Sequence, residues 1–546
     1  MKTQKTQKKA RAVFAAALML AMLLGLGTSG CGILGSAAKG EFVAWVGSSP
    51  ETLDPCMNSA ADGATYLVHL FQGLFRYKWD GSGVEAGDAE SYTISDDGLV
   101  WTFKLRNNIK WSDGEAVTAK DYEYSWKRVC DPEVAGPYAW DLAEFILNGV
   151  ESLEGECSID DVGVKAIDER TFEVTLSGPC PFFDQVAVFP VLYPVRQDII
   201  EEYGENWWIK AENYISNGPY TMTSFVLDEI MTFEINENYY DKNKIKAATI
   251  SWKFYQEDTQ ALTAFRAGEL DIGNGCPPVE IPALAEEGVL ASRPLLGTYY
   301  LSYNCERAPF DNALVRKALT LAIDRDYIAT TVMQGTFMPA TSMVGSGFGD
   351  VDQAKDFREM GGEYISLDYA ANIELAKAAL AEAGYPDGVG FPTIEYMYNP
   401  SSTHQSVAEV IAKMWEEVLG IKTELVSQEW NVFLETRRVG NYQVARDGWL
   451  SDWNDASSML GLFTSNSGNN NSQYKNAQFD AYMAEAGSTN DRAKRIAAMH
   501  NAEEILMNDW PCGPIMLYAQ NYIVSKDLKN WHENALGYTF LHLAQK

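Results

Sequence analysis

Residues 393–427 pair two strand-like segments with a helix between them, and this pattern most constrains the fold. In TIEYMYN, residues 393–399, apolar side chains alternate as they do in a half-buried strand. SVAEVIAKMWEEVLG, residues 406–420, repeats apolar residues every three or four positions, which is the period of an amphipathic helix that ends at Gly420. IKTELVSQEW, residues 421–430, returns to the strand pattern. The order predicts a βαβ unit and a largely parallel sheet.

Other segments indicate a mixed α/β protein with at least two lobes. Helical periodicity marks residues 314–335 and 368–386, the second with Asp368 as the N-cap. The first half is richer in strands: residues 98–111 alternate, and residues 162–176 predict a hairpin beside a helix at 121–129. A chain of 546 residues exceeds what one core usually serves, so two or more domains are expected.

The N-terminal segment has the layout of an export signal. A basic front is followed by the apolar run AVFAAALMLAMLLGLG, residues 12–27, which is shorter than the roughly 20 residues of a membrane span. The run ends in TSGC, residues 28–31, which resembles a bacterial lipobox with Cys31 as the lipidated residue. Residues 1–31 are therefore predicted to be a signal peptide and residues 32–41 a short tether; an ordinary secretory signal cleaved nearby is the alternative.

The charge of the chain excludes several partners. The formal net charge is −32, and removing the five basic residues of the leader makes it −37. Such a surface repels nucleic acid and anionic lipid headgroups. No second long apolar run follows the leader, so lipid on Cys31 is the only membrane attachment expected.

Seven cysteines remain beyond Cys31, and they predict neither a metal site nor a full disulfide framework. None forms a CxxC pair, and none lies at zinc-finger spacing from a histidine. Cys157 and Cys180 flank the predicted hairpin and are the favoured candidates for a disulfide.

The chain carries no recognisable catalytic motif. GxSxG, HExxH, P-loop and GxGxxG patterns are absent from it, and its five histidines are scattered. The segment ARDGWLSDWND, residues 445–455, contains three carboxylates, of which Asp447 and Asp452 could serve a secreted hydrolase. Its tryptophans interrupt the alternate oxygen ligands that a calcium loop needs. No catalytic residue, metal or cofactor is predicted.

Several motifs in order along the chain resemble one family. They are LDP (53–55), FQGLFRY (71–77), LVWTFKLRNNIKWSDGEAVTAKDYEYSWKRV (99–129), DPEVAGPYAWDL (131–142), SNGPY (216–220), FRAGELDIG (265–273), NCERAPFDNALVRKAL (304–319) and SQEWNVFLETR (427–437). Together they resemble the extracytoplasmic solute-binding proteins of family 5, in the branch of oligopeptide and dipeptide binders of ABC importers.

The resemblance implies a two-lobed periplasmic-binding-protein-like α/β fold with an extra β-rich domain and a ligand cleft between the lobes. Domain I is then expected to be discontinuous, with residues 42–71, 196–298 and 517–546. Residues 72–195 would form the β-rich domain II and residues 299–516 the α/β domain III.

The resemblance also assigns roles to individual residues. Residues 445–454 are similar to a cleft-lining ARxGWxxDYN segment, in which Asp452 accepts the α-ammonium group of a peptide. The peptide carboxylate would meet basic groups placed for different peptide lengths, which match Arg446, His404, Arg437 and Arg307. Trp449, Trp453 and Tyr138 are the candidates for side-chain pockets. Ser59 and Ala61 replace an acid and a larger apolar residue of some members, so contacts with the peptide backbone there are expected to differ.

The function that follows is capture of peptides without chemistry, by closure of two lobes around the ligand. The expected partners are oligopeptides and the permease and ATPase subunits of an importer, with the protein itself a monomer. The lipobox favours the outer face of a Gram-positive membrane over a periplasm. The alternatives are a binder of nickel, haem, a sugar or an opine on the same fold, and the hydrolase above.

Overall fold

The structure is a computed structural model, and it describes residues 40–352, 355–428 and 430–546. The predicted leader, Cys31 and most of the tether lie outside these residues. Strands and helices of the described residues are numbered separately in chain order below.

The strands are β1 Glu41–Trp45, β2 Phe75–Tyr77, β3 Val84–Ala86, β4 Ala89–Ile94, β5 Val100–Leu105, β6 Val164–Asp168, β7 Thr171–Thr175, β8 Tyr220–Val226, β9 Ile230–Ile235, β10 Thr249–Lys253, β11 Ile272–Asn274, β12 Leu290–Tyr303, β13 Met338–Pro339, β14 Ile394–Tyr398, β15 Thr423–Ser427, β16 Val444–Leu450, β17 Cys512–Val524, β18 His532–Glu533 and β19 Thr539–Phe540.

The α-helices are α1 Ala61–Leu70, α2 Ala119–Val129, α3 Ala139–Ala143, α4 Gly149–Leu153, α5 Phe183–Ala187, α6 Gln197–Tyr203, α7 Asp258–Arg266, α8 Ile281–Glu287, α9 Ala313–Leu321, α10 Arg325–Tyr327, α11 Phe357–Gly361, α12 Tyr369–Glu382, α13 Ser402–Leu419, α14 Trp430–Arg438, α15 Ser457–Leu460, α16 Ala477–Gly487 and α17 Arg492–Asp509. Among the residues described here, no helix is both long and apolar enough to cross a membrane.

One large sheet runs through the protein, and it is mixed rather than largely parallel as predicted, because its long central strands β12 and β17 pair antiparallel with each other and β12 pairs antiparallel with β16. Its strands lie in the order β15-β14-β16-β12-β17-β11-β1-β10-β9-β8, with β13 paired to β17. The predicted βαβ unit is confirmed, since β14 and β15 are parallel neighbours joined by α13. The apolar face of α13 is buried as predicted, with Val407, Ile411 and Trp415 inaccessible to solvent. The Trp415 indole donates a hydrogen bond to the Leu319 carbonyl oxygen at 2.8 Å.

The buried apolar residues form two principal cores on this sheet. The first core is built from residues 42–272 and 522–544. The second core is built from residues 296–516. Each core corresponds to one lobe of the predicted two-lobed fold.

The long strands β12 and β17 connect the two cores. They pair antiparallel along most of their length, and the register shifts between Pro294 and Thr298. Leu290–Pro294 pairs with Ala519–Ile523 on the side of the first core, and Thr298–Ser302 pairs with Cys512–Leu517 on the side of the second. The predicted domain boundaries at residues 298 and 516 fall inside these strands, and all the domain boundaries stay predictions.

One predicted helix is wrong in its extent. Residues 314–335 do not form a single helix, because α9 ends at Leu321 and the chain restarts at α10. The Asp324 side chain accepts a hydrogen bond from the Tyr327 amide and so caps a new helix in the middle of the periodic run. Helix α12 agrees with prediction, and its Asp368 cap accepts a hydrogen bond from the Ala371 amide.

The β-rich first half is confirmed, whereas the disulfide predicted within it is wrong. Strands β4-β5-β7-β6 form an antiparallel sheet that contains the predicted hairpin. All seven cysteines in the described part of the chain are free thiols. Cys180 is buried in the first core, whereas the Cys157 thiol faces the Asn148 carbonyl oxygen at 3.6 Å. The chain segments that leave the two ends of the hairpin therefore carry these thiols to different surroundings.

The buried ion pair between Arg358 and Glu503 provides a test of this packing. Their nearest side-chain atoms lie 2.7 Å apart, and the Glu503 side chain is fully buried. We expect Glu503→Ala to lower the free energy of unfolding by about 3–5 kcal/mol, because Arg358 is left buried without its counter-charge. Urea denaturation followed by tryptophan fluorescence measures the change.

The matched control is Glu435→Ala, which removes the exposed partner of Arg438. It should cost no more than about 1 kcal/mol. Equal losses in the two variants would contradict the assignment of the Arg358–Glu503 pair as a buried structural contact.

Candidate functional site

Asp452 lies in a cleft between the two cores. Strand β16 ends at Leu450, and the chain then leaves the sheet and turns into α15. The Asp452 amide donates to the Ser458 hydroxyl at 3.2 Å, which fixes the turn. The half-buried Asp452 side chain lines a cavity of about 790 Å³, which we call the Asp452 cleft.

The carboxyl group of Asp452 is unusually basic. The hydroxyl of Tyr138, which packs on the first core, lies within reach of it. Burial raises the pKa of Asp452 to about 7, the charge of Asp141 adds to the increase, and the Tyr138 hydrogen bond partly opposes it. Burial also raises the pKa of Tyr138. Ionisation of the Asp452 carboxyl group is therefore costly unless a cation lies beside it.

Three more acidic side chains line the same cleft, and one of them, Asp480, accepts hydrogen bonds from Ser465. Asp141 lies on α3 and Glu144 directly after it, at solvent-accessible positions of the cleft wall. Partial burial and the neighbouring Asp141 raise the pKa of Glu144 to about 7. Among the described residues that line the Asp452 cleft there is no lysine, arginine or histidine. This end of the site suits a cation and opposes an anion.

Aromatic rings form the walls beside Asp452. The Trp453 ring lies 5.4 Å from the Phe145 ring, edge to face, and 6.0 Å from the Phe182 ring. Phe145 and Phe182 pack on the first core and Trp449 packs on the second, so the walls belong to both lobes. The Trp449 indole donates to the Ser458 hydroxyl at 3.4 Å.

Arg446 and His404 are brought together on the second lobe. The Arg446 guanidinium donates to the Asn399 side-chain oxygen and to His404 Nε2, each at 2.9 Å. It also lies over the Tyr299 ring, 5.8 Å from its centre. Burial, and to a smaller extent the positive charge of Arg446, lowers the pKa of His404 to about 4. His404 is therefore neutral at pH 7 and accepts a hydrogen bond from Arg446.

Arg437 is paired with Asp447, which was not among the predicted ligand-binding residues. Its guanidinium forms an ion pair with Asp447, and both side chains are less than 10% exposed. Arg437 lines a second cavity of about 250 Å³, which we call the Arg437 cavity. Gly468 and Asn469 line this cavity as well as the Asp452 cleft, so the two spaces adjoin.

Arg307 stands apart from the other predicted residues. Its exposed side chain donates to the Asn441 side-chain oxygen at 3.0 Å. It lines neither the Asp452 cleft nor the Arg437 cavity.

The structure thus groups most of the predicted residues at two places. Asp452, Trp449 and Trp453 line the cleft and Tyr138 lies beside Asp452, while Arg446, His404 and Arg437 lie at the other end of β16 and on the elements beside it. Sequence reasoning missed Asp141, Glu144, Phe145, Phe182 and Asn399. Asp141 lies within the motif at residues 131–142, and Glu144 lies two residues after it. The excess of negative charge in this segment was the sequence signal that could have identified them.

The third acid of the segment 445–455 has a structural role. Asp455 forms a two-pronged ion pair with Arg495 at 2.6 and 2.7 Å, with both side chains buried. In the part of the chain that the structure describes, no group of three or more histidine, cysteine and acidic side chains is arranged to hold a metal ion.

Comparison with known proteins identifies the family. The family model of the bacterial extracellular solute-binding proteins, family 5 middle region, matches residues 83–471. The chain belongs to this family. Its members are extracellular proteins, so this one works outside the cytoplasm.

Curated relatives match over nearly the whole chain. The periplasmic oligopeptide-binding protein OppA of Escherichia coli is 36% identical over 492 residues, covering 89% of each chain. A probable deoxycholate-binding periplasmic protein of the same species, YgiS, is 34% identical over 473 residues, covering 86% of each chain. Both are named as binding proteins, and they differ in the ligand that their names give.

A solved structure supports the fold. The periplasmic murein tripeptide-binding protein MppA, in its unliganded open form, superposes with a TM-score of 0.80 at 30% identity. The match covers 93% of this chain and 98% of that one. The expected two-lobed solute-binding fold is confirmed.

The neutral state of His404 is testable, because Arg446 is one of its causes. We expect Arg446→Gln to raise the pKa of His404 from about 4 towards, but not up to, its ordinary value of 6.5, since burial remains. Nuclear magnetic resonance of histidine ring carbons during a pH titration measures it, with only five histidines to resolve.

His404→Gln assigns the signal, and Arg438→Gln, which removes an exposed charge beside Arg437, serves as the control. An unchanged His404 titration in Arg446→Gln would show that the two side chains are not in contact.

Proposed function

We propose that this protein captures oligopeptides in the cleft between its lobes and delivers them to an ABC importer. The observation that carries the proposal is the Asp452 carboxyl, which faces the cleft with three more acids and no basic side chain among the described residues lining it. The α-ammonium group of a peptide supplies the missing cation. The relative named as an oligopeptide-binding protein supports this ligand class.

The physical reason lies in the cost of burying charge. A carboxylate held away from water is stabilised only by a cation or by hydrogen bonds, and Tyr138 supplies just one. An ammonium group adds a full charge and three donors. A ligand without that group leaves the carboxylate unsatisfied, so the site selects for a free amino terminus.

The other end of the peptide carries a carboxylate, for which we propose the basic residues of the second lobe. Arg446 is the principal candidate, held in place by Asn399 and His404. His404 gains a proton more readily when a carboxylate approaches, since the anion offsets the charge of Arg446. Arg307 would serve peptides of another length, because each added residue moves an extended terminus by about 3.3 Å. Arg437, the remaining predicted residue, already has its charge compensated by Asp447.

Between its ends the peptide would lie extended and offer its backbone to hydrogen bonding. Contacts of that kind are common to all peptides, while side chains enter pockets of looser shape. Trp449 and Trp453 would line these pockets, with Phe145 and Phe182 opposite. Aromatic walls give apolar area without specifying one side chain.

Delivery would depend on closure of the two lobes. A peptide that contacts Tyr138 on one lobe and Arg446 on the other favours the closed arrangement, which importer subunits then recognise. We propose that β12 and β17 act as the hinge at the register shift near Pro294. Domains I, II and III keep the predicted limits in this proposal, and the protein acts as a monomer without catalysis.

We also propose that the mature protein is held at the outer face of the membrane by lipid on Cys31. The basic front, the short apolar run and TSGC at residues 28–31 support this. A lipid anchor of this kind favours a Gram-positive host.

The competing ligand class is a bile acid, since a relative of similar identity is named for deoxycholate. A bile acid is an anion, and Asp141, Glu144 and Asp452 would repel it at this end of the cleft. The acidic cleft wall therefore favours a peptide over a bile acid. Overall sequence identity does not distinguish between these two ligand classes.

The ammonium contact predicts the effect of removing one charge. We expect Asp452→Asn to weaken binding of a free tripeptide at least 30-fold, because truncating a buried charge pair costs about 2–5 kcal/mol. An N-acetylated tripeptide should bind the unaltered protein with a similar loss. Isothermal titration calorimetry measures both.

Asp527→Asn, an exposed acid outside the cleft, is the control and should leave affinity unchanged. If Asp452→Asn and the acetylated peptide both bind like their parents, peptides are not held by this contact.

The raised pKa of Asp452 predicts a pH dependence. A proton competes with the ammonium group for the carboxylate, so below a pKa of about 7 affinity should fall by up to tenfold per pH unit. Tripeptide affinity between pH 5 and 7.5 measures this. An acetylated peptide should show a flat profile, and a flat profile for the free peptide would contradict the ammonium contact.

A further inference from the structure

Asp447 forms polar contacts with several residues of the protein, although it is not predicted to contact the ligand. It lies on β16 between Arg446 and Gly448, so its side chain points to the opposite face of the sheet from Arg446. There it forms the ion pair with Arg437 and accepts a hydrogen bond from the Asn471 amide at 3.0 Å. It also accepts one from the Gly448 backbone amide at 2.8 Å.

The ion pair lies beside the Arg437 cavity, which adjoins the Asp452 cleft. Asn471 and Asn469 line that cavity beside Arg437, and Asn469 also lines the Asp452 cleft. A peptide whose ammonium group sits at Asp452 can therefore extend past Asn469 towards Arg437. What it meets there is an arginine whose charge is already compensated.

We propose that Asp447 is a specificity-determining residue: it occupies Arg437 and lowers the affinity for every peptide whose carboxylate reaches that arginine. The inference rests on the proposed function, since it concerns the peptide's second terminus. A carboxylate arriving at Arg437 must either displace Asp447 or lie beside it, and two like charges in contact are costly. An uncharged part of the peptide meets no such penalty at the pair.

Comparison of free acids with their amides isolates the carboxylate. The probes are alanine peptides of two to six residues, each as the C-terminal acid and as the C-terminal amide, with affinity measured by calorimetry. We expect Asp447→Asn to increase the affinity for the free acid of at least one length tenfold or more, with the amide of that length unchanged. The asparagine keeps the shape and releases the charge of Arg437.

The single substitution leaves Arg437 buried without its counter-charge, so a double variant guards against loss of the fold. Replacing both members of a buried ion pair by apolar residues is often tolerated. Arg437→Met with Asp447→Met should keep the ratio of acid to amide affinity within threefold of the unaltered protein at every length, because the compensated arginine contributes little. The matched control is Glu435→Met with Arg438→Met, an exposed ion pair that lines the same cavity.

Two results would overturn the inference. One is a folded Asp447→Asn variant that gains affinity for no free acid. The other is a double variant that loses tenfold or more for a free acid while its amide binds as before, because Arg437 would then receive carboxylates despite Asp447. Failure of all free peptides to bind the unaltered protein would instead refute the proposed function itself.

Discussion

The pairing of β12 with β17 is the constraint on which the rest of the structure depends. These two strands are central in the large sheet and extend from one core to the other. Their backbone hydrogen bonds fix the two lobes in one sheet, while the register shift after Pro294 interrupts the ladder between them. Strand β16 pairs with β12 on the side of the second core, so every residue of the segment 444–450 takes its position from that ladder.

The position of β16 separates opposite charges in a way that suits a zwitterion. Within the strand, alternation puts Arg446 and Asp447 on opposite faces, and each finds a different partner there. Beyond the strand, the turn at Ser458 sends Asp452 into the cleft beside Asp141 and Glu144. The acidic end therefore needs a cation that the described cleft wall does not supply, whereas the basic end is already partly compensated by Asp447.

Much of the fold could be predicted from the periodicity of the apolar residues and from the order of helices and strands along the chain. The βαβ unit, the hairpin, the capped helix α12 and the βαβ-rich second half follow from residue spacing that is local in the chain. One miss was local and the other was not. The helix predicted over residues 314–335 is broken because Asp324 caps a new start, and the Cys157–Cys180 disulfide is wrong because the chain carries the two thiols into different surroundings.

The sequence by itself determined the family, the two-lobed fold class and the segment that contains Asp452. The order of the motifs and the periodicity of the apolar residues carry this information, because both can be read along the chain. Only the tertiary structure decided which charges are available. It paired Arg437 with Asp447 and Asp455 with Arg495, made His404 neutral beside Arg446, and brought Asp141 and Glu144 from the first lobe to Asp452. The reason is that ionisation and pairing depend on distance and burial, and residues far apart in the chain set both.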